Sequence, residues 1–379
     1  MNANLNKMKV FLPIITIITF TTCNAQNTSQ NLNIKNGMLS TGENVSEIDK
    51  AISVIFQDKN NGYWFGSNGQ GIYYEPKSLS KTVPKKLIHF STKDGLCNNH
   101  IREIKEDKSG NIFFNTVGGI SKFDGQKFTT LVVLDTSASE NEWELQPDDL
   151  WFKGNQNENG VYRYDGELLH HLKFPKHHLA DAYYARFPNN TWSPYEVYFI
   201  YEDSKKNMWF GTSNFGICRY DGKSLSWMYE EHLTNIKGGG SFGIRSIIED
   251  NEGKFWFCNS QYRYTIYPAE KEKGLIDYKR EKGFEGLKAA NGGEFIYYLS
   301  IVEDNNHQLW MATYDEGVFK YNLSAQNGSE KIVHYPVKVG EKDLALSAIY
   351  KDNFGNLWLC TQDAGVYKFN GKTFEKFTS

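Results

Sequence analysis

Apolar and polar positions alternate along most of this chain with a period of two, not the 3.6 of a helix. Ile52-Ser53-Val54-Ile55-Phe56-Gln57-Asp58 is one such run, and Gly119-Ile120-Ser121-Lys122-Phe123 is another. Runs of this kind predict strands with one buried face. They come in a fixed order. An apolar run ends in Asp, often after Glu. A polar turn leads to an aromatic doublet. A Gly-apolar-x-basic-aromatic run follows and often closes on Asp-Gly or Asn-Gly. Asp-Gly and Asn-Gly between apolar runs mark hairpins.

The ordered set recurs seven times, at 52–74, 101–125, 150–166, 197–222, 244–267, 299–322 and 346–371. The third copy is degenerate, and the fifth lacks the glycine between Gln261 and Tyr267. Aligning the aromatic doublets gives the anchors Trp64, Phe113, Trp151, Trp209, Trp256, Trp310 and Trp358. Their spacings run from 38 to 58 residues and average 49. Each unit holds about four strands, the fourth being an aromatic tail such as Lys127-Phe128 or Thr373 to Phe377. Four strands in about 40 to 50 residues make the blade of a β-propeller. The sequence therefore predicts an all-β fold, a seven-bladed β-propeller of four-stranded antiparallel blades over residues 47–379. The anchor aromatics are expected to pack between neighbouring blades, and each turn Asp to bond its own turn's backbone. The ring is expected to close by face packing alone or by a strand from Asn31 to Lys35.

Ahead of the repeats, Lys7 and Lys9 precede the apolar run Val10 to Phe20. That run is too short to span a bilayer and fits the core of a signal peptide. Residues 1–25 are read as the signal peptide, with cleavage near Ala25, and 26–46 as a linker. Cys23 is the residue a lipid anchor would use, although Phe20-Thr21-Thr22 is a poor lipidation motif. The expected location is periplasmic or secreted. With 42 basic against 45 acidic residues, the balance argues against a nucleic-acid partner. Cys97, Cys218, Cys258 and Cys360 show no metal-ligand spacing, and the last three sit in strand runs as small buried hydrophobes. Neither a metal nor a cofactor is expected.

These units resemble the two-component regulator propeller repeat. Asp94-Gly95-Leu96-Cys97-Asn98-Asn99-His100-Ile101 matches the front of that pattern. Asp352 to Thr361 and Glu202 to Thr212 match its core. The likeness covers about Ile48 to Ser379. It implies the fold and an exported sensor role, since such propellers usually form the periplasmic sensor of hybrid histidine kinases that respond to glycans. No transmembrane, phosphoacceptor or ATP-binding segment follows the last repeat, so the expectation is a binding scaffold without the kinase.

The irregular loops are the candidate site. The longest anchor spacing comes from His170 to Tyr195, which carries His170, His171, His177, His178, Tyr183, Tyr184, Arg186, Trp192 and Tyr195. Aromatic faces beside polar groups suit sugar rings. His177, His178, Tyr183, Tyr184, Arg186 and Trp192 are the main candidates. Asn98, His100, Tyr314 and Gln362, in shorter loops, would ring the same mouth. No catalytic motif such as GxSxG or HExxH appears. The expected function is a non-catalytic module binding an oligosaccharide, polysaccharide or partner protein at its loop face. The alternative is a polysaccharide lyase or hydrolase on the same scaffold. A cluster of His, Tyr and Arg with perturbed pKa values would favour the enzyme.

Overall fold

The structure is a computed structural model that describes residues 42–77, 86–134, 143–155, 157–236, 240–268, 272–284, 287, 297–325 and 331–378. The signal peptide, Cys23 and Asn31 to Lys35 lie outside them. The described residues form seven main sheets arranged as a closed propeller, as the repeat predicts. Blade 4 shows the common plan, with strands Val197–Glu202, Met208–Thr212, Ile217–Tyr220 and Leu225–Met228 antiparallel from the inside out. Helices are few: Ala180–Arg186 and Glu231–Thr234 among the described residues. None there is long and apolar enough to cross a membrane.

The repeated residues explain the repeated fold. Each turn Asp accepts from its own turn, as when Asp203 Oδ1 takes the Lys205 and Asn207 N–H groups. Its second oxygen takes an indole N–H six residues on. Five blades carry that bond, at 2.7 to 2.9 Å: Asp58 with Trp64, Asp203 with Trp209, Asp250 with Trp256, Asp304 with Trp310, and Asp352 with Trp358. One carboxylate thus ties the turn to the second strand and orients the anchor ring. That ring faces the next blade. Trp209 lies 4.6 Å from Phe255, and Trp64 lies 5.4 Å from Phe114. Burying each such ring contributes roughly 2–3 kcal/mol.

The repeat glycine has an equally local cause. Gly216 sits at φ +72°, and a Cβ there would run into the Met228 carbonyl oxygen of the outer strand. Blade 5 lacks the glycine; its second and third strands join through a shorter turn in which Asn259 takes the left-handed conformation, at φ 68°. Asn tolerates that region better than most residues. Cys218, Cys258 and Cys360 are fully buried and free.

The ring closes by packing blade 7 on blade 1. Tyr63 OH donates to Asp352 at 2.7 Å, and Ser347 Oγ to the Ile52 carbonyl at 3.2 Å. Trp358 packs against Tyr63 in a tilted pair, centroids 4.9 Å apart. Glu43–Val45 adds a fifth strand, but on the outer edge of blade 1, beside Leu87–Phe90.

Blade 3 departs from the plan. Its Trp strand, Leu150–Lys153, is the innermost strand among the described residues, followed by Val161–Tyr164 and Leu169–Leu172. The fourth strand, Val133–Leu134, lies on the outside and runs parallel. The inner strands of blades 2 and 4 therefore touch Leu150–Lys153 directly. Blade 2 supplies side chains where an inner strand would have supplied backbone. Glu103 accepts the Lys153 N–H at 2.7 Å, Asn115 Nδ2 donates to the Lys153 carbonyl at 2.9 Å, and Arg102 donates to the Gly154 carbonyl at 2.6 Å. An edge strand in a core must have its polar groups satisfied, and here side chains do it.

Candidate functional site

Loops joining outer to inner strands, and second to third strands, share one end of the ring. The largest described one runs from Lys173 to Glu196, between blades 3 and 4. His170 and His171 are not in it; they belong to the outer strand Leu169–Leu172, with His170 Nε2 2.8 Å from Asp165 Oδ2. The loop begins by folding His177 inward. That ring is fully buried, stacked on Phe215 at 4.5 Å and edge-on to Trp227 at 4.9 Å. Burial drives its pKa down to about 3, so it packs as a neutral ring. The backbone N–H of His177 donates to Tyr195 OH at 2.8 Å. His178 stays exposed beside it.

The helix Ala180–Arg186 then projects aromatic rings. Tyr183 is half-buried, edge-on to Phe215, and its hydroxyl accepts from Asn190 Nδ2 at 2.9 Å. Tyr184, Phe187 and Trp192 are 47%, 44% and 51% exposed. Asn190 Nδ2 also donates to the Trp192 carbonyl, at 2.9 Å. Arg186 lies 5.3 Å over the Phe187 ring. Three large exposed rings on one anchored loop are uncommon on a soluble surface.

The other candidates ring the same end of the strands. Asn98 Oδ1 accepts the His100 N–H at 2.8 Å and so shapes its own turn. Burial, with Arg102 nearby, lowers the His100 pKa. Tyr314 is 47% exposed, and its carbonyl accepts from Leu346 at 2.8 Å. Gln362 is exposed, and its N–H bonds the Ala345 carbonyl at 2.9 Å.

The sequence reading missed a charged set between the inner strand of blade 2, the innermost described strand of blade 3 and the end of the insert. Arg102 reaches across from blade 2 to Glu196, which ends the insert, at 3.7 Å. Arg245 of blade 5 lies 4.4 Å over the Tyr198 ring. Lys153 Nζ donates to the Arg102 carbonyl at 3.2 Å. Lys105 leans towards Phe152, with Nζ 5.8 Å from the ring centre. Burial lowers the pKa of both lysines, and raises that of Glu196.

It also missed a second cluster, at blade 5. Glu230 accepts from Tyr278 OH at 2.8 Å, Tyr264 OH at 3.2 Å and Arg280 at 3.3 Å. His232 Nε2 lies 3.1 Å from Tyr264 OH. Burial lowers the His232 pKa and raises that of Tyr264, which is fully enclosed.

A family model described as Two component regulator propeller matches residues 191–214, from the end of the insert through the second strand of blade 4. The chain carries that repeat. The regulator propeller repeat is thus found where the sequence pattern places it. Among solved structures, the extracellular domain of a putative hybrid two component system from B. thetaiotaomicron is similar at 19% identity and TM-score 0.52, over 90% of this chain and 40% of that one. A second extracellular domain of this kind from the same organism gives 15% identity and TM-score 0.50, over 84% and 40%. A catalytically inactive virginiamycin B lyase from Staphylococcus aureus, solved with quinupristin, gives 14% and TM-score 0.56, over 86% and 98%. At these identities the likeness shows the fold. The chain spans about 40% of the length of the two-component proteins' domains. No curated protein matches the sequence.

Proposed function

We propose that this protein is an exported, sensor-like propeller that binds a glycan at the loop face between blades 3 and 4. The observation that carries the reading is the exposed trio Tyr184, Phe187 and Trp192, presented by a loop whose base is fixed by His177, Tyr195 and Phe215. Flat rings at low entropy cost stack on the apolar faces of sugars, and the polar groups around them meet the hydroxyl edges. The signal-like start at residues 1–25 and the extracellular setting of the two-component relatives support an exported location. A partner protein at the same face is the other occupant this surface would accept.

Thermal-shift and glycan-array screening of the full chain tests the reading. A saccharide is expected to raise the melting temperature, and Tyr184→Ala with Trp192→Ala is expected to weaken it about tenfold or more. Full retention of binding in both variants removes the insert as the site.

The blade 5 cluster favours a second reading, a lyase or hydrolase. His232 with its lowered pKa is a neutral base, and Arg280 beside Glu230 is a cation for developing negative charge. Tyr264, fully enclosed with its pKa raised, stays protonated and fixes His232 in place. Turnover of a polysaccharide that is lost in His232→Ala would establish this reading over binding alone.

A further inference from the structure

We propose that the wedge between blades 6 and 7, at the end of the ring away from the insert, is a second binding site and takes a neutral saccharide. The inference concerns another surface than the loop face and does not rest on that reading.

The wedge is a cavity of about 580 Å³, within the range of ordinary ligand pockets. The aligned wedge between blades 4 and 5 holds only about 180 Å³. The two share a plan. One blade gives a turn Asp, the anchor indole and a basic residue of the third strand. The next blade gives a turn glycine and the first residue of its second strand. That last residue differs in the direction of the volumes. Between blades 4 and 5 it is Phe255, whose ring sits 4.6 Å from Trp209. Between blades 6 and 7 it is Leu357, which has no ring to lay against Trp310.

The floor of the larger wedge is aromatic. Tyr335 stacks on Trp310 at 5.1 Å, and Phe369 meets the two rings edge-on at 5.0 and 5.3 Å. Tyr335 and Phe369 are half-buried, so part of each stays accessible. The rim is made of amides. Asn306 and Gln308 give only their backbone N–H groups to Asp304, at 2.8 and 3.0 Å, and among the described residues their side chains are uncommitted. Asn370 spends its Oδ1 on its own turn, at 2.8 and 2.9 Å. A side-chain amide offers a donor and an acceptor together, as a sugar hydroxyl does.

Charge argues against an ion. One carboxylate, Asp304, and one ammonium, Lys320, line the wedge and offset each other. Asp304 is already spent on its turn and on the Trp310 indole, at 2.8 Å. Lys320 lies 5.6 Å over the same ring. The smaller wedge carries Lys205, Asp221 and Glu249 instead. The cavity also lies between two sheet faces and not along a strand edge, so an extended peptide gains no backbone ladder there. A sugar, with apolar ring faces and hydroxyl edges, matches both floor and rim.

Calorimetric titration of the full chain tests the inference. The probes are maltotriose, cellotriose, xylotriose and mannotriose, with trigalacturonate and tetra-alanine beside them. At least one neutral trisaccharide is expected to bind, and more tightly than the uronate or the peptide. Leu357→Phe copies the residue of blade 5 and is expected to weaken that binding about tenfold or more. Asn306→Ala with Gln308→Ala is expected to weaken it about fivefold and to leave the melting temperature within about 2 °C. Should Leu357→Phe fail to fold, the amide pair decides. Binding that survives Trp192→Ala but falls in the wedge variants upholds the second site, and a fall in both kinds of variant upholds both sites. Binding that falls in Trp192→Ala but not in the wedge variants upholds the loop face and overturns the wedge. No binding by any neutral trisaccharide, or uronate or peptide binding as tight as theirs, also overturns it.

Discussion

Blades 4 and 3 are neighbours built from the same repeat, and they solve the same problem differently. Blade 4 has its inner strand, its turn carboxylate and its anchor indole locked in one unit by Asp203. Blade 3 keeps the anchor, Trp151, but has neither the carboxylate nor, among the described residues, the inner strand. Its edge is finished by Glu103, Asn115 and Arg102 from blade 2. A regular blade supplies its own inner strand, turn carboxylate and anchor indole. The irregular blade borrows polar side chains from its neighbour to satisfy its innermost described strand. The contrast shows how a ring can finish an irregular blade without altering its other seams.

The largest effect should come from the regular side. Trp209→Ala removes a fully buried ring and leaves Asp203 short of a donor. It is expected to cost about 3–5 kcal/mol in denaturant unfolding. A loss under about 1 kcal/mol would mean that the anchor does not hold the seam.

Glu103→Ala probes the borrowed edge. It orphans the Lys153 N–H and one Asn115 donor, each of which Glu103 now accepts at 2.7 Å. The expected cost is about 2–3 kcal/mol. Val54→Ala at the aligned place in regular blade 1 trims apolar atoms only, and should cost about 1 kcal/mol. Equal losses would erase the distinction between the blades.

His177 gives a pH signature to the insert's base. In the unfolded chain its ring protonates near 6.5, and in the folded protein near 3. Between those values the unfolded state binds more protons. Stability therefore rises with pH through that window and is complete above it. His177→Phe should flatten the slope of stability against pH between 6.5 and 4, read from melts at fixed ionic strength. An unchanged slope would place the ring in solvent.

What was legible in the sequence follows from range. The Asp turn, the anchor aromatic and the glycine are separated by a few residues, and local geometry fixes them, so seven copies announced seven blades. The indole–carboxylate bond was missed although both partners were in view; the six-residue interval between Asp203 and Trp209 holds it in every copy that has both. Blade 3 could be seen to be degenerate, but not how its edge is finished. Glu103 meets Lys153 from 50 residues away, and no periodicity reports that. The insert was found by its length, yet His177 read as a surface ligand candidate lies buried, because Phe215 and Trp227, which enclose it, come from the next blade. His170 and His171 were assigned to the loop because a polar pair hid the strand whose ends, Leu169 and Leu172, face the core.

Hydrogen exchange of the full chain with and without a saccharide that raises its melting temperature tests the central claim most directly. Protection is expected at 180–198, in the aromatic loop, with the turns at 203–207 and 250–254 on the opposite face unchanged. Protection confined to those turns, or spread evenly over all seven blades, would contradict it.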